Sequence, residues 1–410
     1  MAKYCLIGEK LGHSLSKDIH ERFGYDYDLV ELGADEVESF VRGGEYDGFN
    51  VTIPYKKIVM EYLDYVDDTA KAIGAVNTVV RRSGKTYGYN TDVLGMDYAM
   101  ARANITLFGK KVMILGSGGT SLTARYLCKM RGAKDIVVVS RSGEVNYSNC
   151  YDYDVDIVIN TTPVGMYPKN GERVLDLAKF KNLSGVFDPI YNPLKTDIII
   201  QAEERGLSYS NGLKMLVAQA KYAKDLFFQE EGSEDIIERV YSDLKKNFEN
   251  VVLIGMPGCG KSTVGKKLAL LLGKKFVDTD EEIVKRRGMS IPRIFEKFGE
   301  DDFRKTESEV ISDFSKERGQ ILSLGGGAIK RAENVKCAKQ NGVVVYIKRD
   351  LNELAQNGRP LSRDKNAVLA LYEERKELYE SSCDIEVLND DTVDEVARKI
   401  VEELYENTSN

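Results

Sequence analysis

The chain has 410 residues, a net charge of −7, 42% hydrophobic and 30% charged residues. That is an ordinary globular composition: it excludes a disordered chain and, at about 150 residues per domain, implies two or three cores. The acidic balance speaks against a nucleic acid or an anionic membrane as partner, since either needs a basic face.

The N-terminal MAKYCLIGEK has no long apolar segment, and no run of 18 or more apolar residues occurs anywhere, so neither secretion nor membrane spanning is expected. Six cysteines, Cys5, Cys128, Cys150, Cys259, Cys337 and Cys383, lie far apart with no CxxC pair. This reads as reduced thiols and a cytoplasmic location. With only two histidines, His13 and His20, both expected to be structural or helix-capping, chemistry must rest on Lys, Asp and Arg.

Short apolar runs alternate with amphipathic stretches: YCLIG, GFNVTI, KVMILG, DIVVVS and DIVIN, then VVLIG, QILSLG and GVVVYI. Runs of this length, rich in Val and Ile and spaced by helical patterns, mark buried parallel strands, so the fold class is α/β throughout. In the first half, GHSLSKDIH, GFNVTIPYKK, GAVNTV and GYNTDVLG form a polar constellation at predicted strand ends. Next, LGSGGTSLTA follows the strand KVMIL and opens a helix, as a dinucleotide site does, although GxGG is less than the full GxGxxG fingerprint. After DIVVV, where an acid would bind ribose hydroxyls, stand Ser140 and Arg141. An arginine there suits a 2′-phosphate and favours NADP over NAD.

HSLS, NVTIPYK, AVNT and GYNTD, followed by INTTPVGM, FDPIYNPLKT and NGLKMLVAQA, resemble shikimate dehydrogenase over residues 1 to about 245. The resemblance implies a substrate domain (1–95 plus helices at about 212–247) and a Rossmann-type NADP domain (96–211) within residues 1–247. It places Ser14, Ser16, Thr52, Asn77, Asp92 and Gln219 around a substrate's carboxylate and hydroxyls, with Lys56 and Asp92 as the catalytic pair. Reducing a ketone by hydride leaves an alkoxide that needs a proton, and a lysine ammonium, charged at neutral pH, can supply it. Gly116, Gly118 and Gly119 would approach the NADPH pyrophosphate, Ser140 and Arg141 the 2′-phosphate, and Thr161 and Met166 the nicotinamide. Two features depart from the family: Lys17 stands where Pro usually follows the second serine, and the segment between His20 and Tyr27 is short.

Near residues 230 to 249, a highly charged stretch keeps Ile236, Val240, Leu244 and Phe248 at four-residue spacing. This predicts a terminal helix with one apolar stripe and a junction around Asn247 to Asn250. Beyond it, Gly255 to Ser262 matches GxxxxGKS between the strand VVLIG and the helical TVGKKLALLLG. In that setting the backbone through Gly258, Cys259 and Gly260 wraps the ATP phosphates, Lys261 reaches the terminal ones, and Ser262, beside Thr263, can ligate Mg²⁺. In FVDTDEEI, Asp278 and Asp280 follow a predicted strand two residues apart, hence on the same side of it. They suit either a metal-and-base pair or a solvated acidic turn.

With the P-loop, this DTD, the FR of DDFRKTESEV, the GGG of SLGGGAI, NGRPLS and LYEERKELY form an ordered series that resembles shikimate kinase from about 250 to 405. The resemblance implies a P-loop domain, 250–410, with a parallel sheet flanked by helices. Asp280 would bind and activate the attacking hydroxyl, Asp278 would assist Mg²⁺ through water, and Arg304 and Arg375 would clamp the carboxylate. Gly325, Gly326 and Gly327 would let the backbone approach the ring, and Arg359 would descend with a lid over the transferring phosphoryl group. The lid is shorter than the family's, so a second lid arginine is missing or replaced by Arg363.

Together the resemblances imply a bifunctional enzyme of aromatic amino acid (chorismate) biosynthesis that reduces 3-dehydroshikimate with NADPH and phosphorylates the resulting shikimate with ATP and Mg²⁺. Two rivals stand beside it: a dehydrogenase preferring quinate or NAD, and a P-loop module that regulates without turnover. The Ser140–Arg141 pair generates a direct test of cofactor choice. Arg141→Ala should weaken NADPH binding about tenfold or more while leaving NADH little changed, because only NADPH offers a phosphate to the guanidinium; equal losses in KM for both cofactors would overturn the assignment.

Overall fold

The computed structural model describes residues 2–354 and 365–405. By its contacts the chain divides into two compact units: Met1–Val164, Arg173–Tyr191 and Ile198–Asp243 form the first, and Gly165–Glu172, Asn192–Asp197 and Leu244–Asn410 the second.

The first unit holds two sheets. One is mixed, with strands in the order Asp28–Glu31, Tyr4–Gly8, Gly48–Val51, Thr78–Arg82, Lys85–Tyr89 and Tyr65–Val66. Thr78–Arg82 runs antiparallel to both its neighbours, and with Lys85–Tyr89 it forms a hairpin whose two-residue turn has positive φ at both Ser83 (49°) and Gly84 (76°). That turn matches the twist of the paired strands. The other sheet is wholly parallel, in the order Ser208–Asn211, Gly185–Asp188, Ile157–Asn160, Lys111–Leu115 and Asp135–Val139. Val112 and Ile114 face one core and Met113 and Leu115 the other, which is why KVMIL reads as an unbroken apolar run.

Helices Asp92–Arg102 and Gly212–Phe228 pack against one another at Gly95, where a Cβ would lie 2.6 Å from the Met215 carbonyl oxygen. Any larger residue would push the two helices apart.

The second unit holds a parallel sheet in the order Lys275–Asp278, Gln320–Ser323, Asn250–Ile254, Gly342–Lys348 and Ile385–Leu388. Its central strand is fully buried. In both parallel sheets the strand that comes first in the chain lies inside the sheet, with later strands on either side. The loop leaving it therefore opens at a topological switch point, where α/β sheets bind ligands.

Two expectations need correction. The apolar side of helix Asp235–Phe248 is built on Ile237, Val240 and Leu244, not Ile236, which is half-buried. A strict four-residue spacing drifts around a 3.6-residue helix, whereas alternating threes and fours stay on one side. Asp278 and Asp280 do not share a strand face: Asp278 ends its strand and caps the helix Thr279–Arg287, and Asp280 lies in that helix's first turn.

His20, in the helix Ser16–Arg22, is buried, stacked on Tyr27 at 4.0 Å and hydrogen-bonded to the Tyr25 hydroxyl. Burial lowers its pKa from 6.5 to about 3. The folded chain holds the ring neutral while the unfolded chain protonates it. Its contribution is therefore intact above pH 6.5 and is lost as the pH falls towards about 3. Denaturant titrations of the first unit should show stability falling over that window, with up to about 1.4 kcal/mol per pH unit removed from the slope by His20→Gln; an unchanged slope in the variant would refute the assignment.

Candidate active sites

In the first unit, a cavity of about 480 Å³ is lined by Lys56, Asp92, Asn90, Gln219, Tyr191 and residues Gly119 and Thr120 of the glycine loop, among others. Lys56 follows the turn after Gly48–Val51, and Asp92 is the first residue of helix Asp92–Arg102. Their side chains meet at 2.6 Å. The other carboxylate oxygen of Asp92 accepts from Asn77 Nδ2 at 2.9 Å, and Asn77 also reaches Thr91 at 3.1 Å and Gln219 at 3.4 Å. Both oxygens of Asp92 are thus engaged, which fixes the plane of its carboxylate and with it the direction of the lysine ammonium.

Ser14, in the loop after Tyr4–Gly8, and Ser16, the first residue of helix Ser16–Arg22, are half-buried and hydrogen-bond one another at 3.2 Å. Thr52 follows Gly48–Val51, its N–H donating to Ile7 O at 3.0 Å. These three residues do not line the cavity itself.

The glycine loop continues the strand Lys111–Leu115. Gly116 has φ of 101°, and Gly118 precedes helix Gly119–Met130, which no described side chain caps. Nothing lies within 4 Å of where a Cβ of Gly118 or Gly119 would stand. Uncapped N–H groups at an open helix start fit a pyrophosphate. Ser140 and the exposed Arg141 follow the neighbouring strand Asp135–Val139. Thr161 bonds Leu115 O at 2.5 Å, whereas Met166 is exposed and belongs by its contacts to the second unit.

In the second unit, a cavity of about 360 Å³ brings together Lys261, Ser262, Asp278, Asp280, Arg304, the three glycines 325–327 and Arg375. Gly258 and Gly260 have φ of 88° and 99°, Cys259 is buried between them, and no described side chain caps helix Lys261–Leu272, whose third residue, Thr263, is exposed. Lys261 folds back onto the carbonyls of Gly255 (2.9 Å) and Met256 (3.1 Å). Ser262 Oγ donates to Asp278 at 2.6 Å. Two hard oxygen donors side by side beside a P-loop fit Mg²⁺, which takes few protein ligands and completes its shell with water and phosphate.

Arg304 is buried, held by Glu307 at 2.7 Å and Glu300 at 3.1 Å. Arg375 is buried too, with Nη1 on Gly326 O at 3.1 Å and an Nε that has no hydrogen-bond partner among the described residues. Arg359 and Arg363 lie outside the described residues.

Two groups in these sites escape sequence reasoning. Glu307 lines the second cavity with one oxygen unpartnered among the described residues, and burial pushes its carboxyl up against the opposing pull of Arg304. The available signal was its place three residues after Arg304 on one helix. Thr91 bonds Asn77 beside Asp92, and its signal was the GYNTD segment itself.

Residues 6–79 match the family model for the shikimate dehydrogenase substrate binding domain, and residues 257–405 match that for shikimate kinase. A Clostridium perfringens shikimate dehydrogenase (NADP(+)) is 35% identical over 271 residues, covering 60% of this chain and 100% of that protein. The chain belongs to the shikimate dehydrogenase family. Its C-terminal part is a shikimate kinase domain.

Solved structures agree with the family over the first part. Shikimate dehydrogenase 1 of Peptoclostridium difficile aligns with TM-score 0.54 at 34% identity, covering 60% of this chain and 98% of that one. A chorismate mutase/shikimate 5-dehydrogenase fusion protein from Clostridium acetobutylicum aligns with TM-score 0.57 at 35% identity, covering 60% and 97%.

In the kinase domain, a Cβ at Gly327 would lie 2.4 Å from the Arg304 guanidinium. The guanidinium is the movable end of a side chain, but its two glutamates leave it nowhere equivalent to go. Gly327→Ala should therefore cost little thermal stability yet lower shikimate-dependent ADP release by roughly 10- to 100-fold, the scale of a misplaced binding group; wild-type turnover would show that the position of Arg304 is immaterial.

Proposed function

We propose that the first site reduces 3-dehydroshikimate to shikimate with NADPH, and that the second phosphorylates shikimate to 3-phosphoshikimate with ATP. The chain is a bifunctional enzyme of the shikimate pathway whose first product is its second substrate. The observation that carries this reading is that each of two nucleotide loops of different construction borders a cavity holding cations and carboxylates suited to an anionic polyol.

NADPH, when bound, supplies the hydride. The chain's own part is to hold the ketone, through Ser14, Ser16, Thr52, Asn77 and Gln219, and to deliver a proton from Lys56 to the alkoxide oxygen while Asp92 orients the ammonium. Gly116, Gly118 and Gly119 carry the pyrophosphate, Ser140 and Arg141 the 2′-phosphate, and Thr161 the nicotinamide.

In the kinase site, Asp280 accepts the proton of the attacking hydroxyl, and Arg304 and Arg375 clamp the substrate carboxylate. Lys261 leaves its resting carbonyl contacts for the terminal phosphates, which Arg359, outside the described residues, would bind as well. Ser262 would hold Mg²⁺, with Asp278 assisting through water, and the ion would supply positive charge against the phosphates. A neighbouring cavity of about 640 Å³, which borders the P-loop at Met256 and is lined too by Asn389, whose side-chain amide donates to Cys259 O at 2.7 Å, takes the nucleotide base. Residues 1–247 and 250–410 act as the two catalytic halves, in the cytoplasm, where six free thiols stay reduced; no described helix is long and apolar enough to cross a membrane.

Product analysis with 3-dehydroshikimate, NADPH, ATP and Mg²⁺ tests the reading: 3-phosphoshikimate should accumulate. Lys56→Ala should abolish the reduction and leave phosphorylation of added shikimate within about threefold of wild type, and Lys261→Ala should do the reverse, because the two cavities share no lining residue and sites without shared partners act additively. ADP release indifferent to shikimate would favour the regulatory module, and dominant NAD-linked quinate oxidation the alternative dehydrogenase.

A further inference from the structure

One buried tyrosine of the kinase domain links a residue that lines the base cavity to one that lines the substrate cavity, and the reaction so far leaves it without a role. Tyr346 lines the base cavity. Behind it, Tyr379 is completely buried and stacked on Tyr346, with ring centroids 5.0 Å apart and planes 18° from parallel. The phenol of Tyr379 donates to the carbonyl oxygen of Gly326, the middle residue of the glycine triad that lines the substrate cavity.

The same carbonyl accepts Nη1 of Arg375 at 3.1 Å. A carbonyl has two lone pairs, so tyrosine and arginine between them saturate it. Gly326 in turn lies against the P-loop, where a Cβ would stand 2.8 Å from Pro257.

This arrangement does two things to the site. Sharing the carbonyl with Tyr379 gives Arg375 a fixed anchor for Nη1, while its buried Nε makes no hydrogen bond among the described residues and only a long ion pair with Glu374 at 3.9 Å, which leaves that N–H able to donate to an incoming group. Because the C=O and N–H of a trans peptide point in opposite directions, pinning the Gly326 oxygen also sets the direction of the Gly327 N–H. Burial pushes the Tyr379 phenol up, so the hydroxyl keeps its proton and stays a donor throughout the working pH range.

We propose that Tyr379 is a positioning residue for the kinase reaction: through the Gly326 carbonyl it holds the Arg375 guanidinium and the Gly327 N–H in register with the substrate carboxylate. The proposal rests on the reading of this cavity as the shikimate site. It assigns a catalytic consequence to a residue that touches neither substrate nor nucleotide.

Tyr379→Phe in the full-length chain tests it, since the ring stack on Tyr346 is retained and only the donor is removed. Shikimate-dependent ADP release should show the KM for shikimate raised about three- to tenfold, as for one hydrogen bond, with the KM for ATP and the melting temperature nearly unchanged. With shikimate methyl ester, which carries no carboxylate charge for Arg375, wild type and variant should differ by less than about twofold. An unchanged KM for shikimate would overturn the proposal. So would a parallel rise in both KM values, or an equal loss on the ester, because either would mean that the hydroxyl only supports the fold. A wild-type chain releasing no ADP with shikimate would overturn the kinase reading and this inference with it, whereas wild-type turnover beside an indifferent Tyr379→Phe overturns the inference alone.

Discussion

In a parallel sheet covered on both faces, the loop that leaves an interior strand at a switch point carries backbone N–H groups with no ladder partner. Twice in this chain that constraint is met by glycines leading into an uncapped helix: at 116–119 after Lys111–Leu115, and at 255–260 after Asn250–Ile254. Everything chemical in each half is arranged around that anion-seeking edge. In the second unit the neighbouring strand ends supply Asp278 and the loop after Ser323, so phosphate loop, carboxylates and glycine triad share one edge of one sheet. In the first unit a mixed sheet brings Lys56, and the helix pair closed at Gly95 brings Asp92 and Gln219, to the cavity that the glycine loop borders.

The two sites treat charge differently, and the difference follows from their chemistry. Lys56 and Asp92 form a partly exposed pair, open to the exchange of protons that a reduction consumes. Arg304 and Arg375 are buried among carboxylates and carbonyls, where charged groups persist only if they are paired and hydrogen-bonded. There they are already desolvated and oriented, and a planar guanidinium held in that way would lose little freedom on binding an anion. Glu307 belongs to the same economy of buried charge: it stabilises Arg304 and leaves one oxygen on the cavity side.

The amino-acid sequence by itself determined the class of fold and picked out the candidate residues of both sites, because both rest on local pattern. Runs such as KVMIL and VVLIG declare strands buried on both faces, and GxxxxGKS and NVTIPYK declare loops whose chemistry is local to a few residues. The tertiary structure alone decided which of these residues meet. Asn77 reaches Gln219 across 142 positions, and Lys56 reaches Asp92 across 36. Helix phase, which moved the buried position from Ile236 to Ile237, depends on a drift of a few tens of degrees that packing resolves and spacing does not, and the cap at Asp278, which puts Asp280 in a helix's first turn and not on the same side of the strand end, is likewise set by the fold. Glu307 and Tyr379 are unremarkable helical residues in the sequence; burial and the groups they face, both products of long-range packing, are what give them a part in the site.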